Sequence, residues 1–178
     1  LPLIAEDGDR AAALATDALA GFRIRFQNAW LAGMRAKLGL PEDVSHEQAT
    51  SLVDDLLTLL KSGRVDYTSF FRSLAGAGRG DIRPTQELFG GPDGFDDWLT
   101  RWRALDPRPD AMDRVNPIYI PRNHLVEEAL AAASRGELTP LDDLLVALSA
   151  PYDERPGLQR YAAPAPADFG AYRTFCGT

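Results

Sequence analysis

Apolar residues recur at three- and four-residue steps through the first forty positions: Ala15, Leu19, Phe22, Phe26, Trp30, Met34 and Leu38. That is the period of one helix face, so the pattern predicts a long helix, or two nearly collinear ones, over 9–38 with this stripe buried. Gly39-Leu40-Pro41 stops it, because proline cannot continue the hydrogen-bond ladder. A second helix follows over 46–62, with Leu52, Val53, Leu56, Leu57, Leu59 and Leu60 inward and Gly63 as its stop. Asp66 suits the N-cap of a short third helix that buries Tyr67, Phe70, Phe71 and Leu74. The glycine-rich run Gly76-Ala77-Gly78-Arg79-Gly80-Asp81 breaks the period and reads as a mobile loop.

Beyond that run the pattern gives a helix over 95–104 around Trp98, Leu99 and Trp102, and another over 121–135 ended by Gly136. A further helix opens at Thr139-Pro140 with Leu141, Leu144, Leu145 and Leu148 facing inward. No alternating run is long enough for a sheet; 115–120 has strand-like composition, but Pro117 makes it an isolated extended piece. The expected fold is therefore all-α, an irregular helical domain of about six to eight helices over 1–150. After Ala150 the prolines at 151, 156, 164 and 166 oppose regular structure, while Tyr152, Tyr161, Phe169, Tyr172 and Phe175 supply anchors. Residues 151–178 read as an extended tail lying along a protein surface.

Composition narrows the function classes. The 178 residues carry a net charge of −7 with no basic cluster, which opposes nucleic-acid and anionic-membrane binding. No stretch approaches the roughly 18 apolar residues of a membrane span. A single cysteine, Cys176, allows no internal disulfide, and a cytoplasmic setting is expected. The chain opens Leu1-Pro2-Leu3 without an initiator methionine, as a removed tag, residues missing ahead of it or a fragment would each give.

The chemistry-bearing candidates are sparse. There is no Walker-type phosphate loop, no Cys-x-x-Cys, no His-Glu-x-x-His and no nucleophile elbow. The glycine-rich run superficially resembles a nucleotide loop, but a kinase-type loop joins strands and this one lies between helices. His124 with Glu127 and Glu128 has the spacing of a metal or acid–base pair, and equally of a histidine and carboxylates at a helix start. The acidic pairs at 54–55, 96–97, 127–128 and 142–143 read as solvated helix faces. Trp98 and Trp102, flanked by arginines, mark one buried helix face rather than a nucleic-acid surface. The most unusual segment is Asn116 to His124: Pro117 and Pro121 pre-set φ and lower the entropy lost on ordering, and Asn116 and Asn123 can satisfy nearby backbone groups. Such a segment suits a structural brace or a binding edge.

Several motifs in order carry a family resemblance. Trp30-Leu31-Ala32-Gly33-Met34-Arg35-Ala36-Lys37-Leu38-Gly39, Asp66-Tyr67-Thr68-Ser69-Phe70-Phe71-Arg72, the paired tryptophans, the helix entry from Asn116-Pro117 through Arg122-Asn123, Pro151-Tyr152-Asp153 and the closing Phe175-Cys176-Gly177-Thr178 together resemble the C-terminal region of the selenoprotein O family. The resemblance implies a pseudokinase-fold protein adenylyltransferase that binds ATP with magnesium or manganese and transfers AMP to Ser, Thr or Tyr hydroxyls of protein substrates. It also implies that the kinase-like core lies upstream, so this chain would hold no catalytic, cofactor or metal site of its own. By the same resemblance Cys176 stands where animal members carry selenocysteine and is a redox-regulatory candidate. The segment Asn116, Pro117, Pro121, Arg122 and Asn123 would brace the core. Without that core, self-association through exposed apolar surface is expected. The alternatives are a free-standing helical interaction module using the aromatic tail, and a small enzyme using His124 with Glu127 or Glu128.

Overall fold

A computed structural model describes residues 3–90 and 94–170, and among these it contains α-helices, one 3-10 turn and no strand. The elements are α1 (Gly8–Lys37), α2 (His46–Ser62), α3 (Tyr67–Arg79), α4 (Arg83–Glu87), α5 (Phe95–Arg103), α6 (Pro109–Asp113), α7 (Asn123–Ala133), α8 (Thr139–Leu148) and α9 (Gln159–Ala162), with the 3-10 turn at Ala167–Phe169. The all-α expectation holds. Side-chain caps set the early boundaries: Asp7 accepts from the Arg10 amide, Ser45 forms a reciprocal capping box with Gln48, and Asp66 accepts from the Ser69 amide.

Burial divides the helices into two clusters. The larger gathers the C-terminal end of α1 (Leu31, Met34, Leu38), the inner faces of α2, α3 and α5, and Met112 of α6. Its centre is aromatic. Phe89, Phe95, Trp98 and Trp102 stack in sequence at centroid separations of 4.5, 6.0 and 6.0 Å, and Phe70 meets Phe89, Phe95 and Trp98 edge-on. Both indoles are fully buried, and each N–H finds a carbonyl: Trp98 donates to Leu52 at 2.8 Å and Trp102 to Leu38 at 2.9 Å. The smaller cluster pairs α7 with α8 through Leu125, Ala129 and Leu144, with Tyr161 of α9 packed against it.

The structure departs from the sequence pattern in four places. First, α1 is one unbroken helix, but the stripe read as buried is not. Leu19, Phe22, Phe26 and Trp30 are 72%, 62%, 56% and 38% exposed. A 30-residue helix is about 45 Å long, and α2 and α6 pack only along its C-terminal end. Second, the glycine-rich run is no loop. Helix α3 continues through Gly76 and Gly78 to Arg79, then stops in a Schellman turn, with Asp81 N–H on the Gly76 carbonyl, Gly80 N–H on the Ala77 carbonyl, and Gly80 at φ +111°. Third, Tyr67 is 42% exposed rather than buried, and Leu145 on α8 is 55% exposed. Fourth, α8 begins at Thr139 itself, so the threonine does not cap it, and α4 and α6 are short helices the periodicity did not show.

Gly78 has a packing reason to lack a side chain. A Cβ there would lie 2.8 Å from Pro109 Cγ and 3.3 Å from the Trp102 ring, so glycine lets α3 and α6 approach closely. Gly78→Ala gains helix propensity of up to about 1 kcal/mol but overpacks this contact by about 1–3 kcal/mol. The expected net result is destabilisation of about 1 kcal/mol, a fall in Tm of roughly 2–4 °C for a chain of this size. A thermal melt that shows a raised Tm would mean that Pro109 yields.

Candidate functional site

Residues 116–122 connect the two clusters, and nearly every polar group there is committed. Asn116 is buried; its side-chain amide donates to the Lys37 carbonyl at 2.8 Å and its side-chain oxygen accepts from Lys37 Nζ at 3.1 Å. It therefore satisfies the C-terminal end of α1, 79 residues away, rather than a neighbouring backbone group. Lys37 lies over the Phe71 and Tyr67 rings at 4.9 and 5.5 Å. Its burial lowers the ammonium pKa below the ordinary lysine value. Ile118 and Tyr119 turn their amides to the Pro151 carbonyl at 2.7 and 3.2 Å, so the segment grips the start of the tail. The Arg122 amide closes a tight turn onto the Ile120 carbonyl across Pro121.

Arg122 is the focus. Its side chain is only 7% exposed and forms a two-pronged contact with Asp66, Nη1 to Oδ2 at 2.7 Å and Nη2 to Oδ1 at 2.9 Å. Nη2 also donates to the Ala162 carbonyl at 3.1 Å, while Nε is buried without a hydrogen-bond partner among the described residues. Asp66 meanwhile accepts from the Ser69 amide and hydroxyl at 2.8 and 2.6 Å. Burial raises the Asp66 pKa, but donation from Arg122 and Ser69 outweighs it and lowers the carboxyl to about 2. One carboxylate thus caps α3 and ties α7 and α9 to it.

The tail is held at a second point. Arg155 places its guanidinium over the Tyr119 ring at 5.4 Å and donates to the carbonyls of Val146 and Ala147 at the end of α8, while its amide donates to the Tyr119 hydroxyl at 3.1 Å. Beside this joint lies an open groove of about 690 Å³, lined in part by Arg72, Arg79, Arg122, Asp113 and Glu154. Its three guanidinium groups are already matched: Arg72 with Asp113, Arg79 with Asp110 and Asp113, Arg122 with Asp66. The groove is charge-balanced and does not present a free cationic cradle for phosphate.

Of the residues singled out from sequence, Asn116 and Arg122 converge on this joint, Pro117 shapes its entry, and Pro121 and Asn123 face solvent. Cys176 lies outside the described residues. His124 keeps Nδ1 buried without a hydrogen-bond partner among the described residues and packs edge-on against Phe169, while Glu128 pairs with Arg160. Among the described residues no group of three or more His, Cys, Asp or Glu converges as a metal site. Lys37, Asp66 in its second role and Arg155 were not singled out. Their partners lie 79, 56 and 36 residues distant, beyond the reach of any local pattern. No helix among the described residues is long and apolar enough to cross a membrane.

Comparison with known proteins places the chain in a class: residues 10–149 match the family model described as protein adenylyltransferase SelO, and the chain belongs to that family. Among individual relatives it is 62% identical to the protein nucleotidyltransferase YdiU of Mycolicibacterium paratuberculosis, 57% to that of Mycolicibacterium smegmatis and 50% to one from Cereibacter sphaeroides. In each case all of this chain is covered, but only 37%, 35% and 37% of the relative. The chain therefore spans little more than a third of the length of the relatives it matches.

The joint generates a prediction with a pH signature. Arg122→Ala removes one partner of a largely buried pair and is expected to cost about 2–3 kcal/mol, with Arg122→Lys costing less because charge survives but the fork does not. Because the folded pKa of Asp66 is depressed, its contribution is fully present above the unfolded carboxylate value near 4 and is lost as pH falls towards about 2. Denaturant melts between pH 5 and pH 2 should show a steeper loss of stability in the parent chain than in Arg122→Ala. Parallel curves would refute the assignment.

Proposed function

We propose that this chain is the helical, non-catalytic C-terminal region of a protein adenylyltransferase, which uses ATP with magnesium or manganese to transfer AMP to Ser, Thr or Tyr hydroxyls of protein substrates. The observation that carries this reading is the family match over 10–149 in a chain that spans 37% of its YdiU relatives. Two features of the geometry support a structural rather than chemical part. The glycine-rich run is a helix end instead of a phosphate loop, and the arginines of the groove are paired within the chain. In this reading the kinase-like core occupies the rest of the polypeptide, in the cytoplasm, and the joint at Asn116–Asn123 keeps this region rigid against it. Cys176 supplies a redox-sensitive thiol that pairs with a cysteine of the core. The interaction-module reading has less to use, since Tyr161 and Phe169 of the tail are engaged within the chain itself.

Calorimetry of this chain with ATP and magnesium is expected to show no binding, while the longer polypeptide transfers AMP; micromolar binding by the chain alone would overturn the non-catalytic part. In the longer protein, Cys176→Ser should abolish any dependence of transfer on reductant, and an unchanged dependence would remove the redox role.

A further inference from the structure

Helix α1 carries two faces that serve different partners. Its last turns bury Leu31, Met34 and Leu38 in the larger cluster. From residue 12 to residue 30 no position is buried, and Leu19, Phe22, Phe26 and Trp30 follow one another along one side, 38–72% exposed, with Phe22 and Phe26 stacked at 5.8 Å. Ala15, Ala29 and Gly33 lie on the same side at the helical period, and a Cβ at Gly33 would meet nothing within 4 Å. Large residues interleaved with small ones form a ridge with gaps, the shape into which a second helix or groove packs. A run of apolar side chains this long is rarely left in water by a stable monomer.

The geometry points to one occupant: we infer that the α1 stripe is covered in cis by the part of the polypeptide this chain does not span, at an apolar groove flanked by acidic side chains. The inference rests on the reading above that the chain belongs to a longer protein. Three observations favour that occupant over a second copy. The relatives are nearly three times as long as this chain, so most of their length lies outside it. Covalent linkage gives such a segment a high effective concentration at the stripe. The charged side chains between Asp17 and Arg35 are Arg23 and Arg25, and no ion pair involves either among the described residues. An antiparallel pairing of two stripes centred on Phe22 would set the arginines of one copy beside those of the other, which is repulsive. A groove with Asp or Glu at its rim satisfies them.

The test is hydrogen exchange on the full-length protein, with its mass measured by light scattering in the same buffer. If the stripe docks in cis, peptides covering 14–30 exchange slowly, by roughly a hundredfold or more relative to unprotected chain, at concentrations where the protein is monomeric. Phe22→Glu with Phe26→Glu should then accelerate exchange in those peptides at least tenfold without changing exchange in α2, α3 and α5 or the mass. Asn28→Glu, on the opposite side of the helix, should leave exchange unaltered. Fast exchange through 14–30 in the monomeric parent protein overturns the inference, with no variant needed. Protection that appears only where the mass doubles overturns it in favour of a second copy. AMP transfer assayed on the same parent sample separates the two levels: protection without transfer would count against the adenylyltransferase reading while leaving the docking surface standing.

Discussion

The contact on which the rest of the architecture depends is the pair formed by Asp66 and Arg122. An aspartate at a helix N-terminus is ordinarily satisfied by one or two amides. Here the same carboxylate also receives a guanidinium fork from the other cluster, and that guanidinium reaches on to the Ala162 carbonyl. Burying such a pair gains little net stability, because desolvation offsets most of the attraction. What it gains is register. An apolar contact between the clusters would tolerate sliding, whereas a bidentate fork holds only in one orientation.

The prolines on either side make sense in that light. Pro117 and Pro121 restrict the backbone that carries Asn116 and Arg122 to their partners, so less entropy is lost when both hydrogen-bonding positions are reached at once. Asn116 then fixes the end of α1, and the Leu38 carbonyl next to it is fixed independently by the Trp102 indole. The C-terminal end of α1, the N-terminus of α3 and the start of α7 are thereby locked in mutual position. The exposed N-terminal part of α1 continues from this frame as unbroken helix.

How much of this was legible in the sequence follows from distance along the chain. The helices α1, α2, α5 and α7 could be read because their signals, a 3.6-residue period and a stop residue, are local. The same period misassigned the stripe of α1: periodicity reports that a face will be covered, not by what, and here the cover is absent from the described residues. The glycine run was misread for a related reason. Glycine marks either a flexible link or a close approach, and only the position of Pro109, 31 residues on, decides between them. Arg122 stood out through its proline-bracketed setting, but its dependence on Asp66 is a contact across 56 residues that no spacing rule anticipates. The family resemblance supplied what the local signals lacked, because it rested on the order of whole motifs along the chain.

The fixed joint also holds the described part of the tail. The tail does not leave the body at Ala150; it is gripped at Pro151 by the amides of Ile118 and Tyr119, at Arg155 by the end of α8, and at Ala162 by Arg122. Each grip removes freedom that a loose tail would otherwise lose on reaching a partner.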